Sequence, residues 1–158
     1  MTEKLQVGGV TYSDELVLIS VLAMPSKPGT AGTIMSAMGE NNLNLEFIVQ
    51  TIGLSGKDHI VFCVNKKYAD EVMAVVNRLK RTVHAKKVAR RDNVGIVFVF
   101  GPDFQFVSGI AGDAFKTLGK IGINIIAIST SVSTLSCVIE AERLAEAVAA
   151  LEERFVTP

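Results

Sequence analysis

Cysteine is scarce in this chain, with two residues in 158, Cys63 and Cys137, each inside an apolar run. Two thiols cannot build the multi-bridge framework of a small secreted protein, and a free thiol in such a run packs as a small hydrophobe. A reducing cytoplasm is the compartment this predicts. Long apolar runs are missing too. No window approaches the roughly 20 apolar residues of a membrane span, and the first twenty residues, opening with Thr2, Glu3 and Lys4, hold no signal-peptide stretch. Excess charge of one sign is absent: 16 basic residues stand against 16 acidic, which argues against broad nucleic-acid affinity. His59 and His84 have no cysteine or histidine at metal-ligand spacing, so no metal is expected. Gly109-Ile110-Ala111-Gly112 lacks the Lys-Ser/Thr of a phosphate loop, so no nucleotide cofactor is expected either. The hydroxyl-rich stretch Ser129, Thr130, Ser131, Ser133, Thr134 and Ser136 has no histidine and carboxylate beside it to make a nucleophile. It reads as a polar turn or part of a pocket, and no catalytic residue is expected.

What is present is apolar. The chain is 49% hydrophobic and 20% charged, which rules out a disordered tail and suits one domain or two very small ones. The two halves read alike at an offset of 80 residues: Gly29 matches Gly109, Leu43-Asn44-Leu45 matches Ile123-Asn124-Ile125, and Ile48 falls on Ile128. A repeat that long is a duplicated domain, not a solenoid.

Each copy gives the same order of elements. Leu16 to Leu22 reads as a strand, and Pro25-Ser26-Lys27-Pro28-Gly29 as the turn after it. Ala31, Ile34, Met35 and Met38 recur at helical spacing. Strands over Leu45 to Ile52 and His59 to Val64 flank a turn at Gly53 to Lys57, and Val72, Val75, Val76 and Leu79 draw a second helix. The second copy repeats this with Val94 to Phe100, a helix marked by Ala111, Ala114, Phe115 and Leu118, strands Ile125 to Ser131 and Leu135 to Glu140, and a helix from Leu144 to Phe155. Two short strand-like pieces, Leu5 to Thr11 and Ala85 to Arg90, remain for the fourth strands. The fold class is α+β, with two antiparallel four-stranded sheets, each carrying two helices on one face. Domain boundaries are expected at 12–84 and 85–158, with Leu5 to Thr11 adding a strand to the second. Val94 to Phe100 is apolar on both alternating faces, so a second copy or another chain is expected to cover the face its helices leave bare. The basic run from Arg78 to Arg91 reads as a solvated linker and edge strand, or as a contact for an acidic partner. It lacks stacking aromatics, which argues against nucleic acid.

Lys27-Pro28-Gly29, Leu43-Asn44-Leu45-Glu46, Ile48-Val49-Gln50, Ile123-Asn124-Ile125 and Ile128-Ser129-Thr130-Ser131 resemble the paired ACT domains of aspartokinase regulatory regions, from about Val10 to Phe155. That resemblance implies two ferredoxin-like domains in tandem and a non-catalytic module that binds an amino-acid effector, commonly threonine or lysine, for feedback control of a kinase domain or separate kinase subunit. It implies an effector site made of Ser26, Lys27, Pro28, Gly29, Thr30, Ala31, Asn44, Glu46 and Gln50 with Asn124, Ile125, Ser129 and Thr130, in a homodimer or larger oligomer. Three departures stand out. Ser26 replaces the usual aspartate before Lys-Pro-Gly, Phe106-Val107-Ser108-Gly109 replaces Ser-His-Pro-Gly, and Val132 stands where a glutamate often follows. A free-standing scaffold that binds nothing and a transcription-linked ACT regulator are the other readings.

Overall fold

The computed structural model describes residues 3–101 and 104–158. Met1, Thr2 and, within the segment 101–109, Pro102 and Asp103 lie outside the described residues. The chain divides into a continuous unit, Leu16–Asp92, and a split unit formed by Met1–Glu15 with Asn93–Pro158.

The continuous unit takes its strands from β1 (Gly9–Pro25, from Leu16 onward), β2 (Phe47–Ile52), β3 (Lys57–Asn65) and the first part of β4 (Lys87–Phe100), in the order β2-β3-β1-β4. Its helices are α1 (Thr30–Glu40) and α2 (Ala69–Leu79), the latter entered through a 3-10 turn at Lys66–Tyr68. β1 and β3 pair antiparallel, Val17 opposite Val64, Ile19 opposite Phe62 and Val21 opposite Ile60. Those six side chains share one face and meet Ile34 and Met38 of α1 and Val72, Val75 and Val76 of α2 in one core. Each such side chain fully buried is worth about 1.5–3 kcal/mol, so this face supplies the core of the unit.

The register slips between Val21 and Met24. Ala23 takes a left-handed φ of 57° there, and its N–H donates to His59 Nδ1 at 3.0 Å. The His59 ring lies against Gly53, where a Cβ would stand 2.5 Å from Nε2. The histidine is thus a structural clamp on the bulge, and Gly53 is required by its closeness.

The split unit takes the start of β1, the rest of β4, β5 (Ala127–Thr130) and β6 (Thr134–Glu140), in the order β1-β4-β6-β5, with α3 (Ile110–Lys120) and α4 (Leu144–Arg154). Val97, Val99, Leu135, Cys137 and Ile139 pack on Ile110, Ala114, Leu118, Ala147 and Leu151. Leu5 to Val7 lies beside Val156, with Val7 N donating to Val156 O at 2.9 Å, and β1 follows as one unbroken strand.

The sequence expects the second face of β4 to be covered, and Val94 and Ile96 are 0% exposed, as is Val138 opposite Ile96. Among the described residues, the apolar side chains left to water include Ile48 and Ile52 on the edge strand β2 and Ile128 on the edge strand β5, beside Leu54, Phe106 and Val132 in turns and Phe100 at the end of β4.

Matched elements refine the repeat. Gly29 and Gly109 open α1 and α3, an offset of 80, whereas Ala69 and Leu144 begin α2 and α4, an offset of 75. The split unit's hairpin is therefore five residues shorter, and the offset read from the sequence stops at the second strand.

Candidate functional site

In the continuous unit β1 ends at Pro25, and Ser26, Lys27, Pro28 and Gly29 carry the chain, exposed, to the start of α1. Gly29 has φ 94° and ψ −12°, a left-handed conformation in which a Cβ would be strained. Thr30 is buried at 6% exposure, and its Oγ1 donates to Lys27 O at 3.3 Å, closing the loop. The helix ladder begins with Thr33 N donating to Gly29 O at 2.9 Å, while Thr33 Oγ1 donates to the same oxygen at 3.1 Å. α1 has no side-chain cap at its start and no acid in its first turn. The first amides of a helix have no partner within it, so here they remain available to an anion at the positive end of the helix dipole. A cavity of about 280 Å³ opens at this point, lined by Lys27, Pro28, Gly29, Thr30, Thr33, Thr82 and Val83. A cationic side chain, three threonines and a helix start suit a small carboxylate.

Gln50 of β2 stands opposite Ile60 on the helix-facing side of the sheet. Its Nε2 donates to Asp58 Oδ2 at 3.2 Å. Asp58 is opposite both Met24 and Ile52, so it occupies the same face at the end where β1 runs out into the Ser26 loop. Ala31, the last residue of the predicted loop set, packs on the core of this unit. Asn44 and Glu46 do not join them. They precede β2, and Glu46 N donates to Cys63 O at the far end of the hairpin from Asp58. Six residues of extended strand, roughly 20 Å, separate the two ends.

A sequence model of the ACT domain matches residues 19–79 and again 97–155, more than half of the chain. The chain belongs to the ACT-domain family. The curated relatives are aspartokinases, among them one from Bacillus sp. (strain MGA3), 26% identical over 98% of this chain and 38% of its own length, and one from Helicobacter pylori (strain ATCC 700392 / 26695), 31% identical over 85% and 33%. The chain thus spans about a third of the length of the relatives it matches. Aspartate kinase from Synechocystis superposes with a TM-score of 0.90 at 26% identity, covering 97% of this chain and 28% of that one. The ligand-free regulatory subunit of aspartate kinase from Thermus thermophilus has the same fold, with a TM-score of 0.86 at 23% identity and coverage of 95% and 99%. The tandem ferredoxin-like fold and the aspartokinase resemblance expected from the sequence are both met, and the matched residues are ACT repeats, not a kinase domain.

The remaining predicted residues fall in the second ACT repeat. Asn124 and Ile125 precede β5 as Asn44 and Leu45 precede β2, and Ser129 and Thr130 lie on β5 itself. Ser131 N donates to Thr134 O at 2.8 Å and Ser133 N donates to Ser131 Oγ at 3.4 Å, so the hydroxyl-rich stretch is a hairpin of β5 and β6 with a tight turn between Ser131 and Thr134. The basic run is partly neutralised, since Arg90 pairs with Asp70 at 2.8 Å and Asp92 at 2.6 Å. Burial pushes the thiols of Cys63 and Cys137 up to about 12, which leaves both inert as nucleophiles near neutrality. Among the described residues no group of His, Cys, Asp and Glu is arranged to hold a metal, and no helix is long and apolar enough to cross a membrane.

The sequence reading missed Asp58, Thr33, Thr82 and Val83. For Asp58 a signal existed: it shares the inward parity of Ile60, Phe62 and Val64, where an acid has no reason to be unless something needs it.

Proposed function

We propose that this chain is an amino-acid-binding regulatory module of the aspartokinase type, whose occupancy is transmitted to a kinase part. The observation that carries the reading is the uncapped start of α1 in the first ACT repeat, with Lys27, Thr30 and Thr33 around a cavity sized for a small amino acid. The helix amides hold the effector's carboxylate, and Ser26 to Ala31 with Gln50 form its surroundings. Threonine and lysine are the effectors proposed first, acting in feedback on aspartate-family amino-acid synthesis in the cytoplasm. The similarity to aspartokinases over nearly the whole chain favours this reading over a scaffold or a transcription-linked regulator.

A homodimer is proposed as the working form. The support is the pair of edge strands, on which Ile48, Ile52 and Ile128 are 41% to 64% exposed and backbone groups on the outer side await partners.

Isothermal calorimetry on the full chain against the twenty proteinogenic L-amino acids tests the effector reading. At least one should bind, with an affinity that drops on Gln50→Ala; silence across the panel favours the scaffold reading. Light scattering coupled to size exclusion tests the dimer, because a mass near 17 kDa at micromolar concentration removes it.

A further inference from the structure

An α-amino acid whose carboxylate sits on the α1 amides still needs an acceptor for its ammonium. Ser26 carries no charge, and Lys27 and Lys57 at this end of the sheet are cations. Asp58 is the one buried acid among the described residues, 4% exposed. Its Oδ2 accepts a hydrogen bond from Gln50 Nε2, but its Oδ1 is buried with no hydrogen-bond partner. An unmet carboxylate oxygen away from water is unfavourable, and such atoms in native proteins ask for a reason. The location supplies one. Asp58 stands opposite Met24, two residues before Ser26, on the sheet face it shares with Gln50. Gln50 is exposed while bonded to it, so one side-chain rotation separates the carboxylate from solvent.

We infer that Asp58 is the ammonium-binding group of the effector site: Oδ1 accepts from the α-ammonium, while Gln50 fixes the other oxygen and turns its own amide oxygen toward the same cation. Charge-assisted hydrogen bonds are the strong ones, so Asp58 sets the site's preference for amino acids over other small carboxylates. This inference rests on the amino-acid-binding reading above.

The test measures calorimetric affinities of the wild-type chain and of Asp58→Asn for the tightest-binding proteinogenic amino acid and for the 2-hydroxy acid bearing the same side chain. Asp58→Asn should weaken the amino acid about 10- to 100-fold and leave the hydroxy acid within about threefold, with the ligand-free melting temperature unchanged or higher. Should the amide variant not fold, Asp58→Thr makes the same comparison. An amino acid that binds both proteins alike overturns the role of Asp58 and leaves the effector reading standing. A wild-type chain that binds the hydroxy acid as tightly as the amino acid also overturns it. A wild-type chain that binds no amino acid overturns both.

Discussion

The two ACT repeats share a backbone and differ in their chemistry. Gly29 and Gly109 open their helices with φ 94° and 96°, and both first helical hydrogen bonds, Thr33 N to Gly29 O and Asp113 N to Gly109 O, measure 2.9 Å. The side chains then diverge. Matching Gln50 opposite Ile60 with Thr130 opposite Leu135 makes Ser133 the counterpart of Asp58, so the second repeat has neither the amide nor the acid. Its α3 carries Asp113 in the first turn, paired with Arg154 of α4, where α1 has Thr33 and α2 has Leu79. An acid there already satisfies the helix dipole and repels an incoming carboxylate. Backbone geometry alone therefore does not make an effector site. The duplicated frame is the same twice, and the residues proposed to read the effector's charge are present once.

The largest effect is expected where the cores differ. Leu16 opposite Asn65 matches Val94 opposite Glu140, which makes Gly95 the counterpart of Val17 and Leu144 that of Ala69. A Cβ at Gly95 would stand 2.4 Å from Leu144 Cδ1 and 2.9 Å from Ser13 O. Gly95→Val should cost roughly 3 kcal/mol in urea unfolding, the upper end for overpacking. Adding Leu144→Ala imitates the first repeat and should return part of that, the remainder reporting the immovable Ser13 carbonyl. A neutral single variant would show that the two cores are not alternative fillings of one frame.

Next comes the shared glycine. Gly29→Ala and Gly109→Ala each force a Cβ into the left-handed region, and the cost should be equal, about 1–2 kcal/mol, because the dihedrals are equal. Only Gly29→Ala should also weaken amino-acid binding. If both variants weakened it, the second repeat would be an effector site too, and the contrast drawn between the repeats would fail.

How much of this was legible in the sequence depended on burial. Buried strands and helices announced themselves, because Val94 to Val99 and the stripe Val72, Val75 and Val76 obey their periods. The exposed strand segments did not. The sequence marks strands at Leu16 to Leu22 and Val94 to Phe100, separate from the short pieces Leu5 to Thr11 and Ala85 to Arg90, yet β1 already begins at Gly9 and β4 at Lys87, since a strand residue facing water keeps no alternation. Glu15 and Asn93 even take left-handed φ values of 56°, which no periodicity encodes. Within the site, the loop from Ser26 to Ala31 was visible through Pro28 and Gly29. Asp58 was passed over, because the strand read from the sequence began at His59, two residues after β3 does, and an acid before a strand passes for a turn residue.

The Arg154 and Asp113 pair offers a smaller test. Both side chains are partly buried, 22% and 27% exposed, so Arg154→Leu, which imitates Leu79, should cost about 1 kcal/mol and reduce the salt dependence of stability. Placing the acid on the other side sharpens the contrast further. Thr33→Asp should abolish amino-acid binding at little cost in stability, and unchanged affinity would remove the dipole argument.

The smallest effect concerns the thiols, which probe opposite faces of the two repeats. Cys63 stands opposite Leu18 and Phe47, away from the helix-facing core of its repeat, whereas Cys137 stands opposite Val97 inside the core of the other. Burial raises both from 9.0 to about 12, and the nearby Glu46 carboxylate adds to the rise at Cys63. A raised folded-state value means that the folded chain holds a proton the unfolded chain gives up once the pH passes 9. The thiols' contribution is therefore whole below pH 9 and is lost as the pH climbs toward 12. At pH 9.5 each thiol should cost under about 1 kcal/mol relative to pH 8. Cys63→Ala and Cys137→Ala should each remove a similar share of that alkaline loss, measured as the shift of the urea midpoint between the two pH values. A share removed by one variant alone would show that only that thiol is held protonated by burial in the folded chain, and that the two faces differ in how fully they exclude water.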